Sequence, residues 1–278
     1  MLPQTFCHIP GIGLQTERKL WEAGVLSWEG WQYAPPLSLG TSNPRAIPAF
    51  LESSMKALAH GRASFFTNHL ATAEYWRIFP HFRSQTAYID IETTGLEADA
   101  EITTIALYDG RQVRTYVSGR NIDDFVADVF SFKVLVSYNG KGFDIPFLER
   151  YFKIRLDHAH IDLRYVLARL GLKGGLKGCE RQMGINRGAL DGLDGFFAVL
   201  LWREYERYND EKALETLLAY NIEDTVNLER LLIEAYNRNI AVTPFAEELS
   251  IPFPEPVDIP FHPDFDCVER LKWINGTR

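Results

Sequence analysis

Between residues 87 and 92, apolar Ala87, Ile89 and Ile91 alternate with Tyr88, Asp90 and Glu92. A period of two is that of a strand, and Thr93-Thr94-Gly95 closes the run with a turn. Ile102–Tyr108 and Gln112–Val117 carry strand patterns on either side of Asp109-Gly110, which predicts a hairpin. Ile122–Phe130 predicts a short helix, and Val134–Tyr138 is a brief apolar run suited to a buried strand beside the first. Helical periods follow over Ile145–Phe152, Leu163–Leu170, Gly195–Tyr208 and Glu211–Tyr236. In the last, Leu214, Leu217, Leu218, Ile222, Val226, Leu228, Leu231 and Leu232 make an apolar stripe. Strands followed by helices of this kind predict an α/β unit.

Ahead of that unit, Leu14, Leu20 and Trp21 predict a helix that opens after Gly11-Ile12-Gly13 and stops at Gly24. The Pro10-Gly11-Ile12-Gly13 turn resembles a helix-hairpin-helix motif, whose backbone N–H groups meet a nucleic-acid phosphate. The resemblance would give Gly11 and Gly13 the close approach and Lys19 the neighbouring charge. An alternative is a helical hairpin that only packs on its neighbour. Pro35-Pro36 and Asn43-Pro44 predict loops, and Arg45–Ala59 and Gly61–Phe82 predict helices. The second of these is rich in aromatics and is expected to dock on the rest of the chain rather than stack on bases. From Ile240 onward, Pro244, Pro252, Pro254, Pro256, Pro260 and Pro263 argue against regular helix over most of the segment. The expected organisation is an N-terminal helical region over 1–84, an α/β domain over 85–240 and a proline-rich extension over 241–278.

Composition narrows the function classes. The chain has 278 residues, 46% hydrophobic and 13% aromatic, ample for a packed core. No apolar run reaches the roughly 18 to 20 residues of a membrane span, and Met1-Leu2-Pro3-Gln4-Thr5-Phe6 lacks the pattern of a signal peptide, so a cytoplasmic protein without a membrane partner is expected. Cys7, Cys179 and Cys267 are distant and odd in number, which suggests neither disulfides nor zinc. A net charge of −8 argues against coating nucleic acid through a general positive field. It leaves open an enzyme that holds a phosphodiester through metal ions, where cations screen the acids from the substrate.

Asp90 and Glu92 leave the same face of their strand, and two carboxylates on an otherwise apolar strand call for a cation; hard oxygen ligands favour Mg²⁺ or Mn²⁺. Asn139-Gly140-Lys141-Gly142-Phe143-Asp144 is a tight glycine turn that places Asp144 at the mouth of a helix, where an N-cap is the plain alternative. Asp162 reads as the cap of the next helix. Tyr220 and Asp224 stand at i and i+4, sharing one helix face. Arg164, Arg169, Lys173, Lys177, Arg181 and Arg187 are six basic residues against one acid, Glu180, in a glycine-rich stretch. That stretch fits either a phosphate track or a solvated helix face.

Taken together, Asp90-Ile91-Glu92-Thr93-Thr94-Gly95-Leu96, Asn139–Asp144 and Tyr220-Asn221-Ile222-Glu223-Asp224 resemble the three motifs of the DEDD superfamily of 3′-to-5′ exonucleases, over roughly Gln85–Asn237. Tyr220 lies four residues before the last Asp, and Ala219 occupies the position where another branch has His, so the resemblance is to the tyrosine branch and to a stand-alone nuclease. It implies a ribonuclease H-like mixed sheet flanked by helices and two divalent ions, Mg²⁺ or Mn²⁺. Asp90, Glu92, Asp144 and Asp224 would be their ligands, and Tyr220 would orient the attacking water. Thr93, Asn139, Phe143, Lys173, Lys177 and Arg181 are expected to contact substrate, a single-stranded DNA or RNA end. The competing expectations are a non-catalytic nucleic-acid-binding module on a nuclease fold and a ribonuclease H-type endonuclease. The oligomeric state is left open.

Overall fold

The computed structural model describes residues 1–33, 44–97, 99–187, 190 and 193–274. The breaks expected at Pro35-Pro36 and Asn43 lie outside the described residues.

Five strands form one mixed sheet: β1 (Thr86–Thr93), β2 (Ile102–Tyr108), β3 (Val113–Val117), β4 (Val134–Ser137) and β5 (Ala159–Asp162), in the order β3-β2-β1-β4-β5. The β1–β2–β3 meander is antiparallel, and β4 and β5 are added in parallel to the other edge of β1. Parallel neighbours need crossovers, and α5 (Asp124–Val129) and α6 (Asp144–Phe152) lie in the two connections that reach β4 and β5. The pairing of β1 with β2 shifts register between Glu92 and Thr93, a bulge at the acidic end of the central strand.

The alternation along β1 becomes two cores. Ala87, Ile89 and Ile91 pack with Leu107, Phe125 and Leu148 on one face. Tyr88 points the other way, into a cluster with Leu228, Leu232 and Tyr236 of α10 (Glu211–Ile240). Asp90 and Glu92 share that second face, so the long helix crosses directly over the acids. The same cluster takes in Phe6, Leu20, Trp76 and Phe79, which joins the N-terminal region to the sheet through one apolar core.

That region contains α1 (Leu14–Glu22), α2 (Ile47–Ala59), α3 (Ala63–Thr67) and α4 (Phe79–Phe82). The continuous helix expected over Gly61–Phe82 is corrected: it is α3, a 3₁₀ stretch Thr72–Ile78 and α4, because the chain turns at Asn68–Ala71 and Pro80 is accommodated in the first turn of a new helix. Its aromatics dock inward as expected, with Trp76 edge-on to Tyr236 at 5.6 Å between ring centroids. The Gly11–Gly13 turn does open α1, with Gly11 at a φ of 84°. What precedes it is a single 3₁₀ turn, Leu2–Gln4, in place of the first helix of a helix-hairpin-helix pair.

Strand β5 was not expected, and α10 runs four residues beyond Tyr236. After β5 come α7 (Leu163–Arg169), α8 (Gly175–Gln182) and α9 (Gly195–Tyr208). The extension holds α11 (Ala246–Leu249) and α12 (Phe265–Ile274), the latter a regular helix that starts just past Pro263. Among the described residues no helix is long and apolar enough to cross a membrane.

Candidate active site

Asp90 and Glu92 are carried by the last residues of the central strand, and Asp224 by the middle of α10. One oxygen from each can be chosen so that all three lie within 4.8 Å of one another. Asn221, one turn before Asp224, fastens the helix to the strand. Its amide donates to the Asp90 carboxylate at 2.7 Å and to the Asp90 carbonyl at 3.2 Å, and its own oxygen accepts from Thr104 of β2 at 3.1 Å. A buried amide satisfied on both ends fixes helix register against the sheet.

Burial pushes the carboxyl pKa values of Asp90 and Glu92 well above the ordinary range, and the neighbouring Asp224 pushes them further. Asp144 is also buried and its pKa is pushed up to about 7 by burial, against hydrogen bonds to the backbone of Asp144 and Ile91. It is the first residue of α6 rather than its N-cap, a position taken by Phe143. Asp144 stands outside the close trio but near enough to act on the charges of Asp90 and Glu92. Three carboxylate oxygens converging this closely suit a hard divalent cation.

Tyr220 is buried one turn before Asp224, and its oxygen accepts a hydrogen bond from Lys177 of α8, whose ammonium also lies 4.3 Å from the Tyr220 ring centroid and donates to the Leu193 carbonyl. Burial and then Asp224 raise the phenol pKa far above its usual value. Burial pushes the Lys177 pKa down, with Asp224 pulling against it. Arg187, in the loop after α8, donates through Nε and Nη2 to the two oxygens of Glu180, each at 2.6 Å, and through Nη1 to Asp224.

A cavity of about 760 Å³ is lined by Asp90, Glu92, Tyr220 and Asp224, by Tyr138, Asn139 and Arg164, and by Lys173-Gly174-Gly175 with Lys177. Gly174 and Gly175 have φ of 94° and 72°, the left-handed geometry that lets the chain turn straight from α7 into α8. Of the residues expected to contact substrate, Asn139, Lys173 and Lys177 line this cavity. Thr93, Phe143 and Arg181 do not line the cavity: the Thr93 hydroxyl donates to the Gly95 carbonyl, Phe143 packs on Phe147, and Arg181 is exposed on α8. Gly11 and Gly13 border a separate cavity of about 530 Å³ in the N-terminal region, and Lys19 is exposed on α1. Of the basic run, Arg187 is buried and ion-paired, and Arg169 pairs with Glu74.

Three residues acquire roles that their sequence positions did not announce, Asn221, Glu180 and Arg187, and Asp162, expected as a helix cap, is one and gains a second role. Asp162 caps α7 through the Arg164 N–H and also accepts from the N–H groups of Asn139 and Lys141, at 2.8 and 3.1 Å, so it ties down the turn that carries Asp144. An acid aligned beside a glycine turn on the neighbouring strand was the available signal.

The RNase_H_2 family, of the RNase_H superfamily, matches residues 87–236, more than half of the chain. The chain belongs to the RNase_H superfamily. The matched span runs from β1 into α10 and contains the acids, Tyr220 and the glycine-rich rim; the mixed five-stranded sheet flanked by helices is an RNase H-like α/β fold. No curated protein sequence matches. Among solved structures, a family B DNA polymerase from the archaeon Pyrobaculum calidifontis is similar with 19% sequence identity and a TM-score of 0.43, over 58% of this chain and 26% of the polymerase chain. An RNase H-like nuclease domain with an acidic cluster able to hold a metal is thus the shared ground of fold, family and site.

Proposed function

We propose that this protein is a metal-dependent 3′-5′ exonuclease of the tyrosine-type DEDD class, acting on single-stranded DNA or RNA ends. The observation that carries the reading is the convergence of Asp90, Glu92 and Asp224 within 4.8 Å in a cavity also lined by Lys173 and Lys177, in a chain of the RNase_H superfamily.

Asp90, Glu92 and Asp224 would hold one Mg²⁺ or Mn²⁺, and Asp90 with Asp144 a second. Bound there, the ions would supply Lewis-acid polarisation of the phosphodiester and a lowered pKa for the attacking water. The protein's own residues position the reactants. With Lys177 donating to its oxygen, the Tyr220 phenol retains its proton and offers it as a donor, which supports orienting a water or phosphate oxygen over accepting a proton. Lys173, exposed at the cavity, and the N–H groups at the start of α8 suit the backbone phosphate next to the scissile one. Asn139, held in a left-handed conformation and bonded to Arg164, suits the terminal nucleotide.

The test is a time course with Mn²⁺ on 5′-labelled single-stranded DNA and RNA. A ladder of products shortened one nucleotide at a time from the 3′ end is expected, and Asp224→Asn should abolish it. Internal products at early times would assign an endonuclease instead. Intact substrate that is nonetheless bound would assign a non-catalytic nucleic-acid-binding module.

A further inference from the structure

The acidic site already contains a positive charge that the proposed mechanism does not use. The Arg187 side chain is only 2% exposed and its guanidinium is locked: two of its nitrogens are spent on both oxygens of Glu180, and Glu180 in turn accepts from Asn227 of α10 at 3.0 Å. The remaining nitrogen points at one oxygen of Asp224. A surface arginine could swing away when a metal arrives, but this one is held from behind by a bidentate pair in a buried place. Nor can it release its proton, because a guanidinium stays charged in any folded protein. One lone pair of Asp224 Oδ1 is therefore taken by Arg187 and withheld from a metal unless that pair is broken. Lys177, the half-buried cation beside the cluster, is directed to Tyr220 and a carbonyl, so among the described contacts Arg187 is the cation that touches one of the three clustered carboxylates.

We propose that Arg187 is a built-in counter-cation of the metal site, which occupies one side of Asp224 and thereby weakens divalent-ion binding, setting the metal concentration at which the enzyme loads. The inference rests on the proposed metal-dependent reading of the same carboxylates. Electrostatics fixes its sign: a fixed positive charge beside a ligand repels an incoming dication and withholds a lone pair from it. Removing that charge should tighten metal binding, the opposite of what loss of a supporting side chain produces.

The experiment measures Mn²⁺ binding to the full chain, without nucleic acid, by the loss of the free-ion electron paramagnetic resonance signal. Arg187→Met alone leaves Glu180 buried and unpaired, a change that can unfold a protein. The companion variant Glu180→Met/Arg187→Met removes both members of the pair and keeps side-chain volume, a kind of replacement that buried pairs tolerate. The double variant is expected to bind Mn²⁺ at least roughly fivefold more tightly than wild type, whereas Arg187→Lys, which keeps the charge, should stay near the wild-type affinity. Equal or weaker binding by a folded double variant overturns the counter-cation role while leaving the metal site intact. Absence of Mn²⁺ binding by the wild type at millimolar concentration overturns the metal reading itself, and the inference with it.

Discussion

At the scale of single residues, the site is governed by what burial does to charge. Asp90 and Glu92 were legible because a strand's period of two is short enough to place both on one face without any further information. Tyr220 and Asp224 were legible for the same reason on a helix, at i and i+4. Arg187 was not, because nothing local distinguishes a buried arginine from its exposed neighbours in a basic run; its partners are Glu180, near the end of α8, and Asp224, far off in sequence on α10. Lys177 was placed at the substrate, and it stands at the cavity wall, but its ammonium is spent on Tyr220. From this follows a prediction for Tyr220→Phe. If the phenol orients a reactant and never ionises, kcat should fall by roughly 10- to 100-fold with KM changed only slightly, and the ascending limb of the pH–rate profile should stay in place. Loss of that limb in the variant would show instead that a phenolate had been accepting the proton.

At the scale of elements, strong periods told the truth and short or interrupted ones did not. The β2–β3 hairpin, β4, α9 and most of α10 lie where their patterns put them, since each buries a continuous apolar face. Strand β5 escaped because Ala159-His160-Ile161-Asp162 is four residues long and its polar members read as the approach to a helix cap. Helix α12 escaped because the surrounding prolines stop just short of it. The turn between β4 and α6 is the element on which the site depends most. A Cβ built on Gly140 would lie 2.8 Å from the Ser137 Cβ and 3.2 Å from an Asp144 carboxylate oxygen, so no side chain fits without moving the turn. Gly140→Ala should therefore cost about 1–3 kcal/mol of stability in urea unfolding. It should also lower kcat by roughly 100-fold through displacement of Asp144. A variant with wild-type kcat would mean that the position of Asp144 is not critical.

At the scale of the whole molecule, the first 84 residues are joined to the RNase H-like fold by polar as well as apolar contacts, and two measurements probe the region that makes them. His8 is enclosed by Trp28, Phe50 and Phe66, with its Nε2 on the Ser54 hydroxyl at 2.9 Å. Burial lowers its pKa from 6.5 to about 3. The unfolded chain then binds a proton that the folded one refuses, so stability present above pH 6.5 is lost as pH falls from 6.5 toward 3. His8→Phe should flatten that acid limb in melting temperatures taken between about pH 4 and 7, and an unchanged slope would assign it to other groups. Polar contacts cross at Arg83–Glu229, 2.9 Å, and at Glu74, which is held by Arg77; Arg77 donates to Glu17 and to Glu74, each at 2.8 Å, while stacking 4.7 Å from the centre of the Trp76 ring. Glu17 also accepts from the N–H groups of Phe6 and Cys7, and Glu74 pairs with Arg169 at the end of α7, just before the glycine loop that rims the cavity. Every member of the Arg77 cluster except Arg169 is fully buried. Removing one partner from such a cluster strands the others in an apolar surrounding, which costs far more than a surface ion pair. Arg77→Ala should lower the unfolding free energy by about 3–5 kcal/mol, seen as a lower urea midpoint with an unchanged denaturant slope if the molecule still unfolds as one unit. A second transition appearing in the variant would show the opposite: that the N-terminal region had come loose from a nuclease domain able to stand without it.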